Sequence, residues 1–312
     1  MSEKIATRVA YGTALAEIGH NENIVVLDAD LSKSTRTDLF QKKYPERHIN
    51  MGIAESNMMA VAAGLASCGK TVFASTFAMF AAGRAFDQVR NSIGYPHLNV
   101  KIGATHAGIT VGEDGASHQA IEDIALMRSI PGMTVISPAD GVSTMALVKQ
   151  AAEMVGPVYL RLGRLDVPVI YSNDTQFQIG KGVTVKDGKN ITLIANGLMV
   201  DMAVQAASKL EAEGLSVRVI DIHTIKPIDE EIIIKAAQET GAIVTCEEHN
   251  VMGGFGSAVA EVVVKNHPVA MEMVGIEDVF GKSGKPADLL AMYKLTPETI
   301  VEKAKKVLSR KK

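Results

Sequence analysis

Residues 50–73 read NMGIAESNMMAVAAGLASCGKTVF, a small-residue helix pattern that runs directly into a strand pattern. Alanine, glycine and methionine dominate residues 56–67, which predicts a closely packed helix, and the β-branched and aromatic run 71–73 predicts a strand. Strand and helix patterns alternate in the same way over the rest of the chain. This alternation predicts an α/β fold with mostly parallel sheets.

The chain divides into two halves of similar pattern. The predicted strands are 24–27, 71–73, 100–102, 134–136, 158–160, 191–194, 217–220 and 242–245. The predicted helices are 5–18, 56–67, 83–93, 229–239 and 297–308, with one more ending near 214 and another starting near 253. A length of 312 residues suits two domains of about 150 residues each. Because residues 169–190 are polar and lack a long periodic run, we predict domains at 1–170 and 191–312, joined by a linker at 171–190.

The overall composition is that of an ordinary globular protein, with 47% apolar and 21% charged residues. The formal net charge of −3 provides no strong field for nucleic acid or an anionic membrane, so neither is an expected partner. No apolar run of about 18 residues occurs, and the N-terminus lacks the apolar segment of a signal peptide. The two cysteines, Cys68 and Cys246, have no zinc or redox spacing. We therefore predict a soluble, cytoplasmic protein.

The densest group of polar side chains, residues 105–119 (THAGITVGEDGASHQ), follows the predicted strand 100–102. Ligands bind at the carboxyl ends of strands in open α/β sheets, and His106 and His118 can transfer protons near neutral pH. A solvated surface loop explains the same residues. No metal site is predicted, because the two histidines are twelve residues apart and no short histidine pairing occurs.

Glu55 lies where residues 50–54 turn into the helix. A carboxylate in a first helical turn is normally a solvated group that complements the helix dipole. The apolar neighbours Ile53, Ala54 and Met58 indicate burial instead, and a buried carboxylate needs a partner. The residues alone leave both interpretations open.

Together these two segments resemble the transketolase family of thiamine-diphosphate enzymes. The segment 52–55 (GIAE) resembles the catalytic-glutamate motif of that family, and 112–119 (GEDGASHQ) resembles its active-site loop. Further matches are 6–8 (ATR), 28–34 (DADLSKS), 75–80 (STFAMF), 161–164 (RLGR), 224–229 (TIKPID) and 283–286 (SGKP). The resemblance implies a pyrimidine-type thiamine-diphosphate-binding domain followed by a transketolase C-terminal α/β domain.

The resemblance covers only part of a full-length transketolase. Full-length members begin with a domain that holds the cofactor diphosphate and its divalent ion through a Gly-Asp-Gly motif and a downstream Asn, and no Gly-Asp-Gly occurs here. The resemblance therefore implies the C-terminal subunit of a split transketolase. A separate N-terminal subunit would supply the ligands for the diphosphate and for Mg²⁺ or Ca²⁺, and a homodimer of this chain would form the core of a heterotetramer.

The resemblance also assigns cofactor-binding residues. Glu55 would hydrogen-bond the aminopyrimidine N1′ of thiamine diphosphate, while Phe77 and Phe80 would form the wall on which the pyrimidine stacks. Asp30 matches an acidic residue of the polar lining near the cofactor. Core packing of two aromatics three apart on a helix, and a strand-end turn at Asp30, are the alternatives.

The remaining matches concern a phosphorylated sugar. His118 and Asp114 match ligands of the sugar hydroxyls, and His106 matches a residue near the reacting oxygen, so the predicted catalytic residues are Glu55, His118 and His106. The predicted phosphate clamp comprises Arg8, Ser34 and Arg164, because guanidinium groups suit phosphate oxygens.

The implied reaction transfers a two-carbon ketol unit from a ketose phosphate to an aldose phosphate, as in the pentose phosphate pathway. Two related enzymes remain alternatives: the beta subunit of a 2-oxoacid dehydrogenase and a deoxyxylulose-phosphate synthase-like enzyme. A non-catalytic binding subunit is a third alternative from a different class.

Overall fold

The computed structural model describes residues 3–311. Its strands are β1 (Lys4–Ala6), β2 (Ile24–Asp28), β3 (His48–Asn50), β4 (Thr71–Phe77), β5 (Val100–Thr105), β6 (Thr134–Ile136), β7 (Val158–Arg161), β8 (Asp166–Pro168), β9 (Val183–Lys186), β10 (Ile191–Ala195), β11 (Val217–Asp221), β12 (Thr224–Lys226), β13 (Ala242–Asn250) and β14 (Ala270–Ile276). Its helices are α1 (Thr7–Ile18), α2 (Ser32–Thr35), α3 (Asp38–Lys43), α4 (Glu55–Ser67), α5 (Phe86–Gln88), α6 (Asp123–Ser129), α7 (Gly141–Glu153), α8 (Met199–Ala212), α9 (Glu230–Thr240), α10 (Phe255–Asn266), α11 (Pro286–Met292) and α12 (Pro297–Leu308).

Two mostly parallel sheets organise residues 3–311. The first has seven strands in the order β12-β6-β7-β5-β4-β2-β3, and the second has five in the order β14-β13-β10-β11-β9. In the first sheet only the edge strand β12 is antiparallel to its neighbour, and in the second only β9 is. A short antiparallel pair, β1 with β8, completes the described sheet structure. The predicted α/β class with mostly parallel sheets is confirmed.

The boundary between the two halves is more complex than a simple linker. The predicted linker, 171–190, contains β9, which pairs with β11 of the second sheet. In the other direction, β12 from the second half pairs with β6, so that Thr224 lies opposite Ile136. Residues 171–190 thus contain one short strand that the sequence pattern did not indicate, because a four-residue edge strand is too short to give a periodic signal.

Several predicted helices and strands have different bounds in the structure. The helix predicted at 5–18 begins at Thr7, since Lys4–Ala6 pairs with β8. The helix predicted at 83–93 is replaced by π-helical turns at Phe80–Arg84 and Val89–Gly94 on either side of α5. Strand β4 continues to Phe77, beyond the predicted end at 73. Single-turn π-helices occur frequently at functional sites.

Close packing orients the first sheet against α1. A Cβ at Gly103 of β5 would clash with the Tyr11 side chain of α1, and the Tyr11 hydroxyl lies 2.7 Å from Ser75 Oγ of β4. The neighbouring strands β2, β4, β5 and β7 run parallel, so their carboxyl ends share one edge of the sheet. Among residues 3–311, no helix combines the length and apolar character that a membrane crossing requires.

Candidate active site

Glu55 is the first residue of α4 and is buried, with 2% of its surface exposed. The turn before it is held by two hydrogen bonds: the Met51 amide donates to the Asp28 carbonyl of β2, and the Gly52 amide donates to the side-chain oxygen Oδ1 of Asn50. Gly52 has φ +69°, a left-handed conformation that glycine adopts without strain. The carboxylate therefore lies at the strand-end edge of the sheet, where the helix N-terminus also favours negative charge.

Two aromatic and two histidine rings form a second part of the site. Phe77, the last residue of β4, stacks on Phe80 with centroids 5.8 Å apart, and on His106 with centroids 3.8 Å apart. The ring of His118 meets the Phe80 ring edge-on at 5.3 Å. The structure thus joins four predicted site residues from two separate segments. Phe77 lies on a strand, so the two phenylalanines do not share one helix face as their spacing suggested.

His106 adopts a constrained conformation, with φ +57° and Nδ1 lying 2.9 Å from Thr105 Oγ1. Burial, together with the smaller effects of the positive charges of Arg8 and Arg164 and of the nearby His118, lowers the pKa of His106 to about 3. A neutral imidazole can donate one hydrogen bond and accept another. The ring therefore offers hydrogen bonds rather than positive charge at this position.

Arg84, which was not among the predicted site residues, links the two parts of the site. Its Nη1 lies 3.0 Å from Glu55 Oε2, and its Cζ lies 4.4 Å from the centroid of the Phe80 ring. The side chain is 51% exposed although its carboxylate partner is buried. Its position four residues after Phe80 is the available sequence signal, because helical residues at that spacing share a face.

The predicted phosphate clamp brings together positive side chains from α1 and the segment after β7. The charge of Arg164, together with burial, lowers the pKa of Arg8, and Arg8 Nη1 donates to the Ser34 carbonyl at 2.9 Å. Arg164 Nη1 lies 3.3 Å from Asp114 Oδ2 and donates to the Val111 carbonyl at 2.6 Å. Ser34 thus contacts Arg8 through its backbone.

A second missed arginine, Arg36, adds positive charge beside the clamp. Its charge also lowers the pKa of Arg8, after the larger effects of burial and Arg164. Asp28 holds the turn that carries Ser34 and Arg36, because its carboxylate accepts bonds from the Leu31 amide and from the hydroxyls of two threonines, Thr35 and Thr37. Within the described residues, the buried Nε of Arg8 has no hydrogen-bond partner, and the Nε of Arg36 has only the carboxylate of Asp38, 3.7 Å away. Clustered guanidinium groups with unused donors suit a bound anion.

Asp30 occupies the turn behind the catalytic-glutamate segment. Its carboxylate accepts a bond from Asn50 Nδ2 at 3.2 Å, and its amide donates to Asn50 Oδ1 at 3.1 Å. Its φ of +64° agrees with the strand-end turn that was one of its two sequence interpretations. Both of these hydrogen bonds connect Asp30 to the turn that precedes Glu55.

One end of thiamine diphosphate suits the residues present. A buried carboxylate beside two aromatic rings matches a polar, planar heterocycle such as the aminopyrimidine. At the other end, no group of three or more His, Cys, Asp or Glu side chains in residues 3–311 is arranged to hold a metal ion. The donor set of the described site therefore suits the pyrimidine part of the cofactor.

Comparison with known proteins connects this site to a family. Residues 3–169 match the model of the transketolase pyrimidine binding domain, and residues 180–300 match the transketolase C-terminal domain. A protein of Methanocaldococcus jannaschii, named by inference as a transketolase C-terminal section, is 51% identical over 300 residues, covering 95% of this chain and 94% of that protein. A split-gene transketolase solved as an inactive β4 tetramer is 57% identical with a TM-score of 0.93, covering 99% of this chain and 100% of that one.

This chain spans about half the length of a longer relative. The transketolase of Rattus norvegicus is 41% identical over 315 aligned positions, which cover 99% of this chain and 50% of the rat protein. The chain belongs to the transketolase family, whose members use thiamine diphosphate. More particularly, it corresponds to the C-terminal part of a transketolase, as the Methanocaldococcus jannaschii protein and the split-gene transketolase do. These matches favour transketolase over the 2-oxoacid dehydrogenase and deoxyxylulose-phosphate synthase alternatives.

Proposed function

We propose that this chain catalyses ketol transfer between sugar phosphates only in complex with a separate N-terminal subunit. The observation that carries the proposal is the convergence of Glu55, the Phe77–Phe80 pair and the two histidines at one edge of the first sheet. The reaction moves a two-carbon unit from a ketose phosphate to an aldose phosphate. It belongs among the sugar-phosphate interconversions of the pentose phosphate pathway, in the cytoplasm.

In this proposal Glu55 binds N1′ of the cofactor pyrimidine and holds the proton shared at that atom. Phe77 and Phe80 orient the pyrimidine ring and exclude water from it. Thiamine diphosphate, when bound, supplies the electron sink for breaking a carbon–carbon bond next to a carbonyl. The burial of Glu55 supports its role, since a buried carboxylate requires a specific partner.

The sugar lies between the histidines and the arginines. His118 and Asp114 bind sugar hydroxyls, and His106 hydrogen-bonds near the reacting oxygen as a neutral ring. Arg8, Ser34 and Arg164 bind the phosphate. Burial and, after it, the positive charge of Arg164 lower the pKa of Arg8, which supports an anion site beside these two side chains, because a bound phosphate offsets their positive charge.

The partner subunit supplies the ligands for the diphosphate and for Mg²⁺ or Ca²⁺. Hard divalent cations take carboxylate and carbonyl oxygens together with phosphate oxygens, and residues 3–311 contain no such carboxylate cluster. The solved split-gene transketolase is inactive as a β4 tetramer, which supports a need for a second type of chain.

We propose a heterotetramer of two copies of this chain and two N-terminal subunits. Ile53, 78% exposed beside Glu55, is then an interface residue.

The test is a product assay on the complex of this chain with an N-terminal transketolase subunit. With thiamine diphosphate and Mg²⁺, chromatography should detect a new ketose phosphate that is two carbons longer than the aldose phosphate supplied. Oxidative decarboxylation of a 2-oxoacid by the same complex, without ketol transfer, would contradict the proposal and support the dehydrogenase alternative.

A further inference from the structure

The segment 105–119 adopts a backbone that needs external support. His106, Gly108, Gly112 and Gly115 all have positive φ angles, and a short 3₁₀ turn, Ile109–Val111, lies among them. Glycine adopts positive φ angles without strain but is equally free to adopt others, so contacts with surrounding residues are needed to fix this backbone. The segment also carries His106 and His118, so whatever holds it sets the positions of both rings.

One contact to this segment comes from Glu248, a residue of β13 in the second sheet. Glu248 Oε1 accepts a hydrogen bond from the Thr110 amide at 2.7 Å, across 138 positions of sequence. The same carboxyl group packs on Gly108 so closely that a Cβ at Gly108 would clash with it. Thr110 and Glu248 are both buried, which excludes water as an alternative partner for the amide.

The main chain at Glu248 is itself held by a buried ion pair. Arg161 Nη2 donates to the Glu248 carbonyl at 2.9 Å, and Arg161 Nε lies 2.9 Å from the buried carboxylate of Asp123. Burial raises the pKa of Glu248 to about 7, against the opposing effects of Arg161 and the Thr110 amide. Because Arg161 holds the main chain at Glu248 and the carboxyl group is buried, Glu248 gives residues 106–118 a fixed point of attachment.

A second contact from the C-terminal half supports the far end of the same segment. Gln119 Nε2 donates to the Lys282 carbonyl at 2.9 Å, and a Cβ at Gly115 would clash with Ser283. Gln119 also donates to the Ile109 carbonyl at 3.1 Å, which ties this support to the 3₁₀ turn. The segment is therefore held from two sides by residues of the C-terminal half.

We propose that Glu248 is a positioning residue through which the C-terminal domain sets the backbone of residues 106–118, and with it the placement of His106 and His118 for the donor sugar. The catalytic part of this inference rests on the proposed function. Glu248 acts through the Thr110 amide and not by touching substrate. The C-terminal half then contributes to the active site without lining it.

Glu247 provides the matched control for Glu248. It is the preceding residue on β13, it is buried, and its carboxylate accepts bonds from the Phe255 and Gly256 amides at the start of α10. Glu247→Gln therefore changes a second buried carboxyl group of β13 whose hydrogen bonds go to α10 and not to residues 106–118. Glu248→Gln keeps an oxygen that can accept from Thr110, whereas Glu248→Ala removes it.

The experiment combines hydrogen exchange on the chain alone with steady-state kinetics on the complex with the N-terminal subunit. We expect Glu248→Ala to speed exchange at Thr110 by about tenfold or more, and Glu248→Gln and Glu247→Gln to leave it near the wild-type rate. In the complex, Glu248→Ala should lower kcat/KM for the ketose phosphate by about tenfold or more. The half-saturating thiamine diphosphate concentration should change less than about threefold, because Glu55 lies outside the segment.

The inference is overturned if Glu248→Ala leaves exchange and kcat/KM at wild-type values, or if Glu247→Gln reproduces both losses. If Glu248→Ala does not fold, Glu248→Asp replaces it in both measurements. The aspartate side chain is one methylene shorter, so its carboxylate lies further from the Thr110 amide. A wild-type complex without ketol transfer would overturn the proposed function and the catalytic part of this inference. Exchange at Thr110 would then test the positioning contact independently.

Discussion

The guanidinium of Arg84 lies between the carboxylate of Glu55 and the ring of Phe80, 3.0 Å from Oε2 and 4.4 Å from the ring centroid. These are the two groups assigned to the pyrimidine of thiamine diphosphate, one by hydrogen bonding and one by stacking. Under the proposed function, the arginine and the cofactor ring would therefore compete for the same partners.

Replacing Arg84 with glutamine should tighten cofactor binding in the complex. A half-exposed ion pair contributes about 0.2–1 kcal/mol and a cation–π contact about 0.5–1 kcal/mol, so the half-saturating thiamine diphosphate concentration should fall by about 3–30-fold. The control is Arg90→Gln, which removes an exposed arginine of the next helical turn bonded to Asn91. Weaker cofactor binding in Arg84→Gln would show that Arg84 supports the bound cofactor.

Glu55→Gln should fold normally and lose nearly all turnover. The amide has a similar shape, but it cannot share a proton with the pyrimidine, so kcat should fall by about 10²–10⁴-fold at saturating cofactor. Glu17→Gln is the control, because Glu17 also pairs with a single basic side chain, Lys149, on the outer surface. Full activity of Glu55→Gln in the complex would remove Glu55 from the catalytic role.

His106 should remain neutral throughout the physiological range. With a pKa of about 3, the ring is at most about 1% protonated at pH 5. Its NMR signals, assigned by comparison with His106→Gln, should therefore stay constant between pH 5 and pH 8. The unfolded chain binds this proton near pH 6.5 and the folded chain only near pH 3, so His106 lowers the free energy of unfolding as pH falls through that window. A titration midpoint above pH 5 would contradict this assignment.

Arg8→Ala and Arg164→Ala should each discriminate between phosphorylated and unphosphorylated sugars. Loss of a charged hydrogen-bond partner costs about 1.5–3 kcal/mol, which corresponds to a KM increase of about 10–150-fold for the phosphorylated donor alone. Arg128→Ala, which breaks a surface pair with Glu261, should change neither KM. Equal losses on both sugar types would show that Arg8 and Arg164 serve the fold.

Sequence patterns predict those features of this chain that depend on residues close to one another in the sequence. The α/β class follows from strand and helix periodicity, and the position of Glu55 at a helix start follows from the composition of residues 50–67. The end of β4 was predicted too early, because Ser75 and Thr76 interrupt its apolar run although both are buried. The turns around α5 were predicted as one regular helix, since periodicity does not separate α- from π-helical turns.

Contacts between distant segments cannot be predicted from such patterns. The pairing of Arg84 with Glu55 depends on how closely α4 approaches the π-helical turn, and the bond from Thr110 to Glu248 joins the two halves of the chain. The assignment of Phe77, Arg8 and Arg164 to one site came from family resemblance. Neither the distances between these residues in the sequence nor their residue types indicate that they lie in one site.

The central claim, that this chain forms an active site only with a separate N-terminal subunit, is tested most directly by adding that subunit stepwise to a fixed amount of this chain. Thiamine diphosphate and Mg²⁺ are kept in excess while ketol transfer and cofactor binding are measured, the latter by calorimetry. The account predicts weak cofactor binding and no ketol transfer by this chain alone, and a proportional gain of both until the two subunits are equimolar. Robust ketol transfer by this chain without the N-terminal subunit would contradict it.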